Sequence, residues 1–423
     1  MLGWPALPCP AGARPMSTSV KPLLRQQRPF IRYWFARVFT ASGFQMLAVA
    51  IGWHLYELTG SVLDLGLVGL AEFAPRLLFI LWTGHVADRF DRRRVAALCQ
   101  GLQGLIAVTL VLGAGGLGVT REMIFVLAFL LGTARAFEGP ATQALLPSLV
   151  PAALFPPAVA ASSSAMQTAT IVAPALGGLL FAIGPLWVYA PVAVLFTLAC
   201  SLMLSLPGRP APAKQSGPAM DNLLAGMRFI RSRPDIFGAI SLDMFAVLLG
   251  GATALLPVFA KDILLTGPSG LGLLRAAPAA GALLMSLWLA RHPINRQVGR
   301  VMFAAVGVFG LATIAFGLST SFWLSLGVLV VLGAADMISM VIRGAFVQLE
   351  TPDAMRGRVS AVNGLFIGAS NQLGEFESGL TAHLFGTVPA VVIGGAGTLL
   401  VTGAWMKLFP TLANRDRLHR EPD

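Results

Sequence analysis

Apolar stretches of about twenty residues recur along almost the whole 423-residue chain, separated by short polar turns. Twelve are distinguished, near 30–57, 64–87, 95–116, 121–146, 157–183, 185–206, 235–260, 269–290, 299–319, 321–349, 357–384 and 388–409. At about 1.5 Å of rise per helical residue each spans a hydrocarbon core about 30 Å thick. In that medium only helices and closed barrels satisfy their own backbone groups. The pattern predicts an all-α membrane protein with twelve transmembrane helices. Gly and Pro break several stretches, as in Ala173-Pro174-Ala175-Leu176-Gly177-Gly178, which membrane helices tolerate where neighbours satisfy the freed groups.

The longest polar interruption, Pro207 to Pro234, lies near mid-chain and divides six spans from six. The expected organisation is a tail (1–29), a six-helix bundle (30–206), a cytoplasmic linker (207–234), a second bundle (235–410) and a short tail (411–423). Met220 to Arg233 reads either as plain linker or as a short amphipathic surface helix with Leu223, Leu224, Met227 and Ile230 on one side. The halves carry faint copies of one another. Under a shift of 201 residues Leu131-Gly132 matches Leu332-Gly333, and Gly178-Leu179 matches Gly379-Leu380; Leu65-Gly66-Leu67 echoes Leu271-Gly272-Leu273 with one deletion allowed. That order of features favours duplication into two pseudo-symmetric bundles.

Composition agrees: 56% of residues are hydrophobic and 12% charged, against about 25% charged in soluble domains. The net charge of +11 suggests nucleic acid until its distribution is considered. Basic residues fill alternate turns: Arg25 to Arg32, Arg89 to Arg94, Arg209 to Arg233, Arg291 to Arg300, Arg356 with Arg358, and Lys407 to Arg420; the intervening turns hold only Arg121 and Lys261. By the positive-inside rule both termini are cytoplasmic and the number of spans is even. Cys9, Cys99 and Cys200 are too few and scattered for a disulfide framework or a metal site. No phosphate-binding loop and no nucleophile–base constellation stands out, so neither an enzyme nor a cofactor is expected. Met1 to Val20, with four prolines, reads as a tail rather than a signal peptide, and Met1 and Met16 both stand as starts.

The most informative turn is Gly84-His85-Val86-Ala87-Asp88-Arg89-Phe90-Asp91-Arg92-Arg93-Arg94. Its pattern, Gly-x-x-x-Asp-Arg-x-x-Arg-Arg, resembles the loop signature of the major facilitator superfamily of secondary transporters. Further phrases, Leu55 to Ser61, Gly139-Pro140-Ala141, Asp353 to Asn363 and Asn371 to Glu377, make the chain most similar to the branch of bacterial enterobactin exporters and drug or macrolide efflux proteins. The resemblance implies the major facilitator fold, a bacterial cytoplasmic membrane location, and a conformational latch at Gly84, Asp88, Arg89, Asp91, Arg92 and Arg93. It also implies proton handling at Arg135, within an Arg-x-x-x-Gly motif, and an antiporter-like packing motif at Pro174, Gly177 and Gly178, with Ala173 departing from the usual glycine.

Ionisable groups inside spans are functional candidates by default. Arg135 and Glu138, and likewise Glu72 and Arg76, are spaced to pair along one helix. Asp336 and Arg343 lie two turns apart, which leaves Asp336 more available to protonate. Glu375 and Glu377 point to different sides of one helix; Glu377 shares a stripe with Ser370 and Asn363 and ranks first. Asp243 and Arg37 occupy pseudo-equivalent positions suited to a cross-domain gate. For each acid, proton carriage and a helix–helix hydrogen bond are both open readings. Phe137, Met166, Phe245, Met337 and Phe366, with Asn363 and Ser370, are candidates for a substrate cavity.

These readings converge on alternating-access, proton-coupled export of a small organic molecule by a monomer embedded in lipid, with a catecholate siderophore or drug-like compound as substrate on the resemblance alone. A membrane sensor or assembly partner with a transporter fold, and an importer, are the alternatives.

Overall fold

The computed structural model describes residues 24–208 and 219–418, without the side chains of Arg25, Leu81, His85, Ala87, Asp88, Ala219, Met220, Asn222, Leu223 and Ala354. Among the described residues every regular element is helical. The first half contains α1 (Arg28–Thr59), α2 (Val62–Leu78), α3 (Ile80–Arg89), α4 (Arg92–Leu112), α5 (Arg121–Leu149), α6 (Phe155–Ile183) and α7 (Pro185–Leu204). After α8 (Ala219–Ser232) come α9 (Pro234–Leu249), α10 (Leu256–Val258), α11 (Gly267–Arg291), α12 (Val298–Leu318), α13 (Phe322–Leu349), α14 (Asp353–Phe385), α15 (Thr387–Leu408) and α16 (Pro410–Ala413).

Local chemistry sets the turns. Gly60 adopts φ 61° and caps α1 through its N–H to Tyr56 O, and the Ser61 hydroxyl then accepts the Asp64 N–H at 3.2 Å to start α2. Asp64, in the favourable first turn of α2, receives a two-pronged pair from Arg121 at 2.8 and 2.6 Å. Asp91 caps α4 by accepting the Arg93 N–H at 3.0 Å.

Among the described residues ten helical segments are long and apolar enough to cross a membrane. Two expected spans depart from that standard. The stretch 64–87 is divided at Phe79, one turn after Pro75, into α2 and α3. The stretch 357–384 is one continuous helix, α14, whose apolar character is diluted by Asn363, Asn371, Gln372, Glu375 and Glu377. The span 235–260 is also discontinuous: α9 ends at Leu249, and the chain turns through Gly250-Gly251 before resuming. A side chain at Gly251 would come within 2.8 Å of the Gly374 backbone, so glycine here lets α9 and α14 approach.

With no hydrophobic drive between helices in lipid, close packing at small residues holds such bundles together. Glycines matched by the internal repeat sit at the crossings. Gly132 of α5 lies against Glu72 O of α2, and its counterpart Gly333 of α13 lies against Pro278 O of α11. Between bundles, Gly178 of α6 meets Gly272 of α11, and their counterparts Gly379 of α14 and Gly66 of α2 meet in the same way.

The linker helix α8 is amphipathic, but its apolar side is not committed to the membrane surface. Ile230 is buried with Ile236, Val359 and Val362, and Gly226 abuts Arg358 O of α14, while Leu224 and Met227 stay exposed. Of the two open readings, plain linker or surface helix, the segment is a helix, and the protein surface of α14 covers Ile230 on its apolar side.

Candidate functional site

The bundles meet along two seams, α2 with α14 and α6 with α11. The first runs from Gly66 against Gly379, through Gly69 against Glu375, to Arg76 beside Gly368. The second runs from Gly178 against Gly272 to Gln167, whose Nε2 donates to Ala279 O at 3.1 Å. Tyr56 OH of α1 also donates to Asp262, across the bundle boundary, with Lys261 Nζ 5.3 Å from the Tyr56 ring centre. The glycine contacts and the Tyr56–Asp262 bond occupy the helix halves nearest the arginine-poor turns, while Arg76 beside Gly368 and the Gln167–Ala279 bond lie near mid-helix. Toward the arginine-rich end lies a cavity of about 380 Å³, walled by Tyr33 and Arg37 of α1, Gln143 of α5, and Ser162, Met166 and Gln167 of α6 among others.

Charged groups gather at the first seam. Arg135 of α5 reaches Glu72 of α2 at 3.3 Å and lies 3.3 Å above the Phe44 ring of α1. This corrects two expected pairs at once: Arg135 does not pair with Glu138, nor Glu72 with Arg76. Each helix presents these neighbours on faces that meet other helices, and contacts between helices replace those along one. Glu138 instead turns to α4, where its carboxylate accepts from Gln100 Nε2 at 3.0 Å and Gln103 Nε2 at 2.7 Å. Neither glutamine was singled out in the sequence, because an uncharged polar residue in an apolar run announces no partner.

Glu375 sits over Gly69, where an added methyl would lie 2.8 Å from its Oε2. Arg275, Glu72, Arg135 and Arg76 all lie close enough to act on it electrostatically. Glu377, ranked ahead of it from the polar stripe, accepts a hydrogen bond from Thr381 on its own helix at 2.7 Å. Ser370 is buried and donates to Ile367 O at 3.1 Å, while the Asn363 amide oxygen is buried without a partner. The acid facing the other bundle is thus Glu375.

In the second bundle Asp243 of α9 forms a buried ion pair with Arg343 of α13. The expected gate between Asp243 and Arg37 is therefore not formed; Asp243 is neutralised inside its own bundle, and Arg37 donates to Thr142 Oγ1 at 3.0 Å in the other. Asp336, two turns along α13 from Arg343, lines a small pocket with Asp243, Val306 and Ser339 and makes no ion pair among the described residues.

The proposed cavity side chains separate. Met166 lines the large cavity. Phe137 packs on Phe79 (ring centres 5.7 Å apart), Phe245 on Trp405 (5.2 Å), and Phe366 against the Ile230 cluster; Met337 is half-buried on α13. Aromatic residues meeting across helices provide packing, a distinction invisible along one chain.

At the arginine-rich turn, Asp91 lies 3.4 Å from Arg93 and 3.8 Å from Arg94. Arg93 Nη1 donates to Leu206 O at 2.6 Å and Arg92 Nη1 to Ala144 O at 3.2 Å, tying α4 to its own bundle. Arg89 is exposed. Gly84 of the expected latch faces open space among the described residues. The side chain of Asp88, also of the expected latch, lies outside the description. Pro174, Gly177 and Gly178 are buried, Gly177 against the Met46 backbone of α1 and Gly178 against α11.

Residues 17–422 match the transmembrane secretion effector family. The chain belongs to that family. It is a multi-pass secondary transporter of the major facilitator type, in the efflux branch, that exports small molecules. It is 26% identical over 384 residues to the enterobactin exporter EntS of Escherichia coli O1:K1 / APEC, and 28% identical over 392 residues to EntS of Citrobacter koseri; each match covers 89% of this chain and 87% of the relative. The fold is similar to that of a bacterial homologue of the human lysosomal transporter Spinster in an inward-facing, unoccupied conformation, with TM-score 0.71 and 15% identity over 94% of this chain and 99% of that one.

Proposed function

We propose that this transporter works in the bacterial cytoplasmic membrane as a monomer and exports an aromatic, siderophore-like or drug-like molecule in exchange for protons. Its arginine-rich end is cytoplasmic, both termini lie inside, and α2–α3 and α14 complete twelve spans. The observation carrying this reading is the asymmetry of the seams: the arginine-poor halves touch at Gly66 with Gly379 and Gly178 with Gly272, while the 380 Å³ cavity lies toward the arginine-rich end. An inward-open carrier loads cargo from the cytoplasm. The enterobactin named for the relatives supports a catechol-bearing cargo.

Coupling needs no covalent step. Glu375 lies on the seam, facing the Glu72–Arg135 pair and Arg275. A proton arriving from outside neutralises it and changes the attraction between α14 and the first bundle; its loss inside resets the carrier. Asp336 is a second coupling candidate, acting through the neighbouring Asp243–Arg343 pair.

The test is reconstitution into liposomes under an imposed pH gradient, following proton movement as iron-free siderophores and cationic or macrolide drugs are added. Substrate-dependent proton flux that requires the protein supports the proposal. Movement of a compound without protons removes the coupling; no movement of any compound removes the proposed cargo class.

A further inference from the structure

The large cavity contains a cation whose charge its own walls do not match. Among the described residues Arg37 has one hydrogen bond, from Nη1 to Thr142 Oγ1, and its Nε is buried without a partner. Across the cavity on α6, the Ser162 hydroxyl is likewise buried and unpartnered. No carboxylate is among the cavity's lining residues. The acid one turn along α5, Glu138, is turned away and held by Gln100 and Gln103 of α4. Glu72 of α2 is paired with Arg135. Tyr33 cannot serve as an anionic partner in place of a ligand, because its hydroxyl donates to Thr142 O at 3.0 Å.

A guanidinium at membrane depth is retained at a cost unless something compensates it. Resting on the export reading above, we propose that Arg37 and Ser162 form an anion subsite of the cargo cavity, receiving a carboxylate or catecholate oxygen of an aromatic substrate. The planar guanidinium presents further N–H groups beside the one held by Thr142, and Ser162 donates from the facing helix. Gln143, Gln167 and Thr170 on the same walls suit the remaining hydroxyl and amide groups of a polyoxygenated molecule, with Met166 against its ring. The subsite therefore selects for acidic aromatic cargo over neutral or cationic cargo of the same shape.

The test uses the purified full chain in detergent and two near-isosteric probes at pH 7, 2,3-dihydroxybenzoate, which is anionic, and 2,3-dihydroxybenzamide, which is neutral, with binding followed by titration calorimetry. The wild type should bind the acid at least about tenfold more tightly, the scale of one charge-assisted hydrogen bond. Arg37→Gln should abolish that preference and leave amide binding within about twofold, and Ser162→Ala should reduce it in part, since neutral hydrogen bonds contribute less. Should Arg37→Gln lose both probes, Arg37→Lys decides: the retained charge keeps a preference for the acid if the subsite is real, and an acid preference lost with amide binding intact overturns it. An equal affinity of the wild type for the two probes, or an unchanged preference in Arg37→Gln, also overturns the subsite while leaving export intact. If the wild type binds neither probe yet exports other compounds in liposomes, the subsite is wrong; if it exports nothing, the functional reading fails as well.

Discussion

Gly178 of α6 and Gly272 of α11 lie backbone to backbone at the seam between bundles, so close that a methyl on Gly272 would stand 3.1 Å from the Gly178 Cα. Their repeat counterparts, Gly379 and Gly66, meet at the same 3.1 Å from a methyl on Gly66. The closed end of the carrier thus rests on two symmetry-related contacts that tolerate no side chain.

Gly272→Val should therefore favour separation of the closed end without unfolding either bundle. Overpacking costs about 1–3 kcal/mol, enough to shift the conformational equilibrium by about tenfold. In a cysteine-free background carrying Ser269→Cys, a membrane-impermeant maleimide should label the valine variant faster than its parent. Equal labelling would show that the contact does not govern closure.

Tyr56 and Asp262 form the polar counterpart of that closure. Because Asp262 is exposed, the bond is worth about 0.5–1.5 kcal/mol, and Tyr56→Phe should raise the Ser269→Cys labelling rate by roughly threefold to tenfold. Asp262→Asn should have a similar effect, and combining the two should add little.

Asp243 and Arg343 illustrate the asymmetry of buried ion pairs. Replacing Arg343 by Met leaves an uncompensated carboxylate and should destabilise the protein by about 3–5 kcal/mol, whereas Asp243→Leu combined with Arg343→Met should recover most of that loss. Thermal unfolding in detergent measures both. A double variant as unstable as the single one would mean that the pair does more than neutralise itself.

Glu375 and Glu377 should separate in transport. Glu375→Gln should reduce gradient-driven export by at least tenfold while sparing substrate exchange at equal pH, because the neutral side chain still permits the loaded carrier to turn over. Glu377→Gln, whose amide oxygen still accepts the intrahelical bond from Thr381, should retain most of its flux. Asp336→Asn should also lower gradient-driven flux if the second coupling site operates. Flux is measured in liposomes at matched protein content.

Much of the architecture was legible along the chain. Hydrocarbon permits no unsatisfied backbone, so long apolar stretches dictate helices. The repeated Gly66, Gly132, Gly178, Gly272, Gly333 and Gly379, which along the chain indicated only duplication, lie at the crossings, because close approach requires small residues wherever it occurs. Less legible were the discontinuities at Phe79 and Gly250, since an apolar window does not register a local turn.

The sequence by itself determined the helical membrane fold, its division into two bundles, and the supply of ionisable groups within the spans. Only the tertiary structure decided which of those groups meet: Arg135 with Glu72 rather than Glu138, Asp243 with Arg343 rather than Arg37, and Arg37 with no carboxylate among the cavity's walls. The physical reason is that helical periodicity fixes which residues share a face, whereas the partner of that face is set by how separate helices pack, often with more than a hundred residues of chain between them, as for Arg37 and Thr142 at a separation of 105.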